Sequence, residues 1–281
     1  MLRPGGSPLD QIELLTTARH ERDALGRTVQ YTPPDHWESE SPCEGWRVKD
    51  VLAHLAASDV AAAALVAEEE ASELEEYRKS LDDDPSPDGW NGWAVARRRD
   101  EGPVSSGLEW GRAADLLLTR AGAASEEEWN ERQVPWITGD IRLKYLVQYR
   151  VAEWWVHGED IREGGRLPPR REHWPVLATC DLAIRLIPYW LPRSGHGGLG
   201  GRTVRFELEG VGAGTWHQST SPGGQPGDGK PDAYVEGYGY ALASVAGGRA
   251  DADFTLYEGQ LNIGGDFELA TAVLHSIRSY P

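Results

Sequence analysis

The chain has 281 residues, enough for one large domain or two ordinary ones, and its 40% hydrophobic and 26% charged residues are typical of a globular protein. Its 45 acidic and 28 basic residues give a formal net charge of -17, which would repel nucleic acids and anionic membranes. The N-terminal residues lack the apolar stretch of a secretory signal, and the longest purely apolar run, residues 60–67, is too short to span a bilayer. We therefore expect a cytoplasmic protein that binds neither nucleic acid nor membrane.

Apolar residues at helical spacing predict a weak first helix over residues 9–26 and a clearer second helix over residues 48–67. The acidic run at residues 68–84 is expected to form a solvated face or a mobile loop. A third helical stretch covers residues 93–120, which GPVSSG could break, and a fourth covers residues 143–164 and stops at a glycine pair. Four helices joined by loops indicate a helical bundle.

The sequence becomes rich in glycine at SGHGGLGGR, which follows a further predicted helix over residues 174–189. We place a domain boundary here, so that the predicted domains are residues 1–195 and 196–281. The second domain is predicted to be a small α/β module, with strands TVRFELEG, TWHQST, AYVEG, DFTLYEG and LNIG and helices YALASVAGG and FELATAVLHSIRSY. The predicted fold class is therefore α + α/β.

The fourth helix carries ionisable residues on the face that should pack against the bundle core. At about 100° per residue, Glu153 and His157 fall on the apolar stripe, which is costly unless something compensates. A Glu/His pair four residues apart directs two ligands at one point, as helical metal sites require, and His54 on the second helix is the natural third ligand. Two imidazoles and one carboxylate suit zinc, and three protein ligands leave one coordination position open.

The same three residues have a purely structural alternative, in which a buried histidine is hydrogen-bonded to a carboxylate. The HExxH motif of zinc proteases is absent. Cys43 and Cys180 are far apart and form neither a CxxC motif nor a zinc-ribbon pattern, so we expect any metal site to use histidine and carboxylate. The remaining histidines are expected to be structural or on the surface: His20, His36, His173, His196, His217 and His275.

Two segments of the chain resemble a known family. SPCEGWRVKDVLAHLA around His54 and YRVAEWWVHGEDIREGG around Glu153 and His157 resemble the N-terminal domain of the mycothiol-dependent maleylpyruvate isomerases, within the DinB-like superfamily of metal-dependent bundles. DAYVEGYGYALASVAGG and GGDFELATAVL resemble the sterol-carrier-like module of those isomerases. The resemblance implies a DinB-like four-helix bundle, a zinc ion bound by His54, Glu153 and His157, and a small α/β sterol-carrier-like domain.

The resemblance also implies that the open metal position takes the thiol of mycothiol and that the C-terminal domain supplies a basic residue. The candidates for a substrate-binding arginine are Arg97, Arg99, Arg202, Arg205 and Arg249, and each could instead be a surface charge. Asp160, one turn beyond His157, could accept a hydrogen bond that orients the imidazole, or could pair with Arg162 or Arg166 at the helix surface.

The activity implied by the resemblance is that of an isomerase or thiol S-transferase that acts on a small electrophilic, maleylpyruvate-like substrate. Zinc, or another divalent ion such as nickel, would lower the pKa of the thiol of mycothiol, and the thiolate would add to a double bond. Rotation and elimination would release the trans isomer. Hydrolysis by a metal-activated water and a non-catalytic binding protein with structural zinc are the alternatives. The thiol and the substrate are the expected partners, and the protein is expected to be a monomer or a homodimer.

Overall fold

A computed structural model describes residues 9–80, 86–137, 139–224 and 230–278. Contacts divide the chain into two compact units, one of them Gln11–Arg170 and the other beginning at Arg171. The boundary predicted after residue 195 therefore lies C-terminal to the division that the contacts define. No helix in the described part of the chain is long and apolar enough to cross a membrane.

The first unit is helical, with one short hairpin. Its elements are α1 (Gln11–Tyr31), α2 (Val48–Val66), α3 (Ser72–Lys79), α4 (Pro87–Arg97), α5 (Pro103–Gly122), α6 (Glu126–Glu131), β1 (Gln133–Trp136), β2 (Gly139–Arg142) and α7 (Leu143–Gly164). Helix α2 packs against α5 and α7, and α1 packs against α7 and α5. These four long helices bury their apolar faces against one another, because each carries apolar residues at a helical period.

Helix α7 has the bounds that the sequence predicts. It ends at a glycine pair because a Cβ at Gly164 would clash with Val48, and one at Gly165 would lie 2.8 Å from the carbonyl oxygen of Ile161. The third predicted helix is two helices, α4 and α5, and the second of them begins at Pro103, a residue favoured at the first helical position.

The acidic run after α2 contains helix α3, so the mobile loop is wrong for these eight residues, whereas the alternative of a solvated face fits the charged side chains of this helix. Leu74 and Tyr77 of α3 are buried, and this pair anchors an otherwise charged segment to the unit. The end of the acidic run, residues 81–84, lies outside the described residues.

The second unit combines helices with a four-stranded sheet. Its elements are α8 (His173–Arg185), α9 (Ile187–Leu191), β3 (Thr203–Glu209), β4 (Gly214–Ser219), β5 (Ala233–Tyr238), α10 (Gly239–Ala246), α11 (Ala252–Tyr257), β6 (Leu261–Gly265) and α12 (Phe267–Ser276). The strand order is β4-β3-β5-β6, with β3 and β5 parallel and the outer pairs antiparallel. Val204, Phe206 and Leu208 are buried on one face of β3, as the alternation of a half-buried strand requires.

One predicted strand of this unit is wrong. DFTLYEG lies mostly in helix α11, which Asp251 caps by accepting a hydrogen bond from the Phe254 amide at 2.8 Å. The alternating apolar residues resemble a strand, but Phe254 and Tyr257 are exposed, so burial does not select the extended form here.

Candidate metal centre

Helices α2 and α7 bring the three predicted metal ligands together. Nε2 of His54 lies 3.1 Å from Oε2 of Glu153, and Nε2 of His157 lies 3.6 Å from the same oxygen. The two imidazole ring centroids are 4.8 Å apart. His54 and Glu153 are buried and His157 is partly exposed, so the cluster lies at the edge of the core.

The spacing of these atoms fits a tetrahedral metal ion. Tetrahedral zinc ligands at about 2.0–2.2 Å from the ion lie about 3.3 Å from one another. The two measured separations fall on either side of this value. Burial lowers the pKa of His54 to about 4, so that the imidazole is neutral at physiological pH, the form that binds a metal. Burial opposes the charge of Glu153, but its contacts with His157 and His54 hold the pKa of this carboxyl well below its usual range.

The two histidines differ in how their outer nitrogens are held. Nδ1 of His157 donates to Oδ2 of Asp160 at 2.8 Å, and Asp160 is only 2% exposed. A carboxylate on the outer nitrogen fixes the tautomer of a metal-binding imidazole. Nδ1 of His54 is buried and has no hydrogen-bond partner within the described residues, so no hydrogen bond on this side of the ring fixes its tautomer.

Sequence reasoning missed the thiol of Cys43, because it considered cysteines only in metal-binding motifs. Sγ of Cys43 lies 3.3 Å from Oδ2 of Asp160 and 3.8 Å from Nδ1 of His157. The sequence feature that could have pointed to Cys43 is the SPCEGW loop before α2. Ser41 holds this loop by donating to the Trp46 carbonyl at 2.9 Å and accepting from the Cys43 amide at 3.2 Å. The Trp46 ring then lies 5.3 Å from that of His54.

A buried ion pair lies next to Glu153. Nε of Arg150, on α7, donates to Oδ1 of Asp59, on α2, at 2.5 Å, and both side chains are fully buried. Nε1 of Trp154 donates to the other Asp59 oxygen at 2.6 Å. Arg150 and Asp59 are 91 positions apart, so no local pattern in the sequence predicts this pair.

The predicted substrate-binding arginines make other contacts. Arg97 pairs with Glu76 at 3.0 Å and lies 4.7 Å from the centre of the Trp93 ring, which fits the surface-charge alternative. Arg205, on β3 of the second unit, pairs with Glu207, and Arg202 pairs with Asp266. Arg249 donates to the Gly247 carbonyl at 2.8 Å.

Three other histidines hydrogen-bond outside this cluster. His36 donates to the carbonyl of Gly165 at 2.8 Å, and His173 accepts from the Gly212 amide at 3.3 Å. His275 lies 2.8 Å from a carboxylate oxygen of Asp253.

The fold and the cluster define a class of protein in which a helical unit with a His/Glu/His site precedes a mixed α/β unit. Residues 18–162 match a sequence model of the mycothiol maleylpyruvate isomerase N-terminal domain. This match covers just over half of the chain and includes His54, Glu153 and His157, so the chain belongs to this family. The predicted family is confirmed.

Two solved structures share the fold. A crystal structure of the mycothiol-dependent maleylpyruvate isomerase is 18% identical with a TM-score of 0.57, over 86% of this chain and 90% of that chain. A structure of a histidine-to-alanine mutant of that isomerase is 17% identical with a TM-score of 0.58, over 92% of this chain and 95% of that chain. These likenesses confirm the predicted fold class. No curated protein sequence matches the chain significantly.

Proposed function

We propose that this chain is a mycothiol-dependent isomerase that binds one divalent metal ion through His54, Glu153 and His157. The observation that carries the proposal is the convergence of these three side chains, with their ligand atoms within 4.8 Å of one another, in the segment that matches the family. The ligand set favours zinc. We further propose that the substrate is a small maleylpyruvate-like electrophile and that the second unit corresponds to the sterol-carrier-like module.

A bound zinc ion would supply the positive charge beside which a thiol loses its proton at neutral pH. The side chains of the chain itself hold the site. Asp160 keeps the proton of His157 on Nδ1 and leaves Nε2 facing Glu153. Burial of His54 and Glu153 excludes water from most of the cluster, which strengthens each electrostatic contact.

The chemistry that mycothiol would supply is reversible addition of its thiolate to the conjugated double bond, with the displaced electron pair accepted by the substrate carbonyl until the thiolate leaves and the trans isomer is released. His54, Glu153 and His157 would hold the metal ion that keeps this thiol deprotonated. An arginine that binds the substrate carboxylates through two hydrogen bonds would complete the site.

Metal analysis of the purified protein is the first test. The wild type should contain about one divalent ion per chain, whereas His54→Ala and Glu153→Gln should lose it because three protein ligands are the usual minimum for such a site. His20→Ala, which replaces an exposed histidine of α1, is the matched control and should keep the ion. A wild-type protein that binds no divalent metal would overturn the proposal.

A second test separates the possible reactions. With mycothiol and maleylpyruvate, the wild type should release the trans isomer while the thiol concentration stays constant. Accumulation of a stable thiol conjugate would instead indicate a transferase, and incorporation of water without any thiol would indicate a hydrolase. Binding without turnover would favour a carrier protein.

A further inference from the structure

Arg150 is the least expected side chain near the candidate metal centre. It is 0% exposed, and its guanidinium carries five N–H donors. Only the Nε donor is paired, with Asp59, whereas Nη1 and Nη2 have no hydrogen-bond partner in the described part of the chain. Burying a charged group whose N–H donors are unpaired costs free energy. Packing against apolar neighbours therefore does not explain why an arginine occupies this position.

The acceptor that faces Arg150 across the site is Glu153. Nη1 of Arg150 lies 3.8 Å from Oε2 of Glu153, three residues further along α7. Arg150 thus lies between two carboxylates, Asp59 on one side and the candidate metal ligand on the other. Burial opposes the charge of Arg150, but Asp59 and Glu153 raise its pKa above the usual value, which keeps the guanidinium charged.

The pair connects the same two helices that carry the ligands. His54 and Asp59 both lie on α2, and Glu153 and Arg150 both lie on α7. His54 contacts Glu153 while the later residue Asp59 contacts the earlier residue Arg150, so the helices run antiparallel here. Asp59 therefore holds the guanidinium at a fixed distance from the Glu153 carboxylate.

We propose that Arg150, anchored by Asp59, is a positioning residue that orients Glu153 for metal binding. The inference rests on the proposed function. Carboxylates that bind metals are usually held in place by hydrogen bonds from neighbouring side chains. The unpaired Nη1, 3.8 Å from the Glu153 oxygen that also faces both histidines, is a donor placed to hold this carboxylate.

A purely structural role, in which the pair only connects α2 to α7, predicts that zinc affinity stays at the wild-type value when the pair is removed. Arg150→Met alone would leave Asp59 buried without its cation and would endanger folding. The test is therefore the double variant Arg150→Met, Asp59→Asn, which removes both charges together. Arg98→Met is the matched control, because Arg98 is 4% exposed and pairs with Glu73 and Glu109, at a distance from the proposed ligands along the chain.

Zinc affinity, measured by competition with a chelator, and the visible spectrum of the cobalt(II)-loaded protein report on the ligands without any activity assay. The double variant should bind zinc about 10- to 100-fold more weakly than the wild type and show shifted cobalt bands. Arg98→Met should keep wild-type affinity and bands. A folded double variant with wild-type affinity and bands would overturn the inference.

Arg150→Lys provides the second test if the double variant does not fold. Lysine keeps the charge beside Asp59 but lacks the second arm that faces Glu153, so zinc binding should still weaken, though less. A folded Arg150→Lys protein with unchanged affinity would contradict the role proposed here. Wild-type protein without metal would instead refute the proposed function, and the two failures are therefore distinguishable.

Discussion

Replacing Arg170 by methionine should destabilise the first unit strongly. The guanidinium of Arg170 forms two parallel hydrogen bonds, at 2.8 and 2.9 Å, with the carboxylate of Glu21 on α1. Glu21 is only 1% exposed. The Arg170 amide also donates to both oxygens of Glu159 on α7, at 3.1 and 3.0 Å, so that this residue connects α1 with α7.

The magnitude follows from the burial of the carboxylate. Breaking a buried ion pair on one side leaves an uncompensated charge and costs about 3–5 kcal/mol. For a domain of this size, each kcal/mol lowers Tm by about 2–4 °C, so the melting temperature should fall by roughly 10 °C. Removing both partners in Arg170→Met, Glu21→Gln should recover most of the loss, because no charge then remains buried.

Thermal and urea denaturation of the wild type and the two variants would measure these differences. An equal loss in both variants would refute the reasoning.

Three further predictions follow from other positions. Burial raises the pKa of Glu159 to about 7 from 4.5, so ionisation costs stability as the pH rises through that interval. Glu159→Gln should therefore gain about 1 kcal/mol in urea denaturation near pH 8 and none near pH 4.5, and an equal gain at both would contradict this. Gly164→Ala should cost about 1–3 kcal/mol, because its methyl group would clash with a valine of α2. Gly92→Ala on α4, with nothing within 4 Å, should be neutral or stabilising by up to about 1 kcal/mol, and equal melting temperatures for the two variants would argue against the clash. A thiol reagent followed by mass spectrometry should label Cys43 in the folded protein but not Cys180, whose thiol is fully buried with its pKa raised by that burial, and labelling of both without denaturant would contradict the structure.

Local patterns predicted the elements whose own residues decide their form. The period of apolar residues and the terminal glycine pair define α7 from residue 143 to residue 164, as the structure shows. The strands TVRFELEG, TWHQST, AYVEG and LNIG are likewise present, and buried and less buried residues alternate along β3 and the first part of β5. The strand predicted for DFTLYEG is wrong because its alternating apolar residues are not alternately buried, and the cap at Asp251 favours a helix.

Sequence alone determined that Glu153 and His157 share one side of α7, because helical geometry places them one turn apart whatever surrounds them. Only the tertiary structure decided which residues join them. His54 and Glu153 are 99 positions apart and Cys43 and Asp160 are 117 apart, and no local periodicity specifies contacts over such distances. The antiparallel contact of α2 with α7 brings these groups together, and it also sets the Asp59–Arg150 pair beside the Glu153 carboxylate.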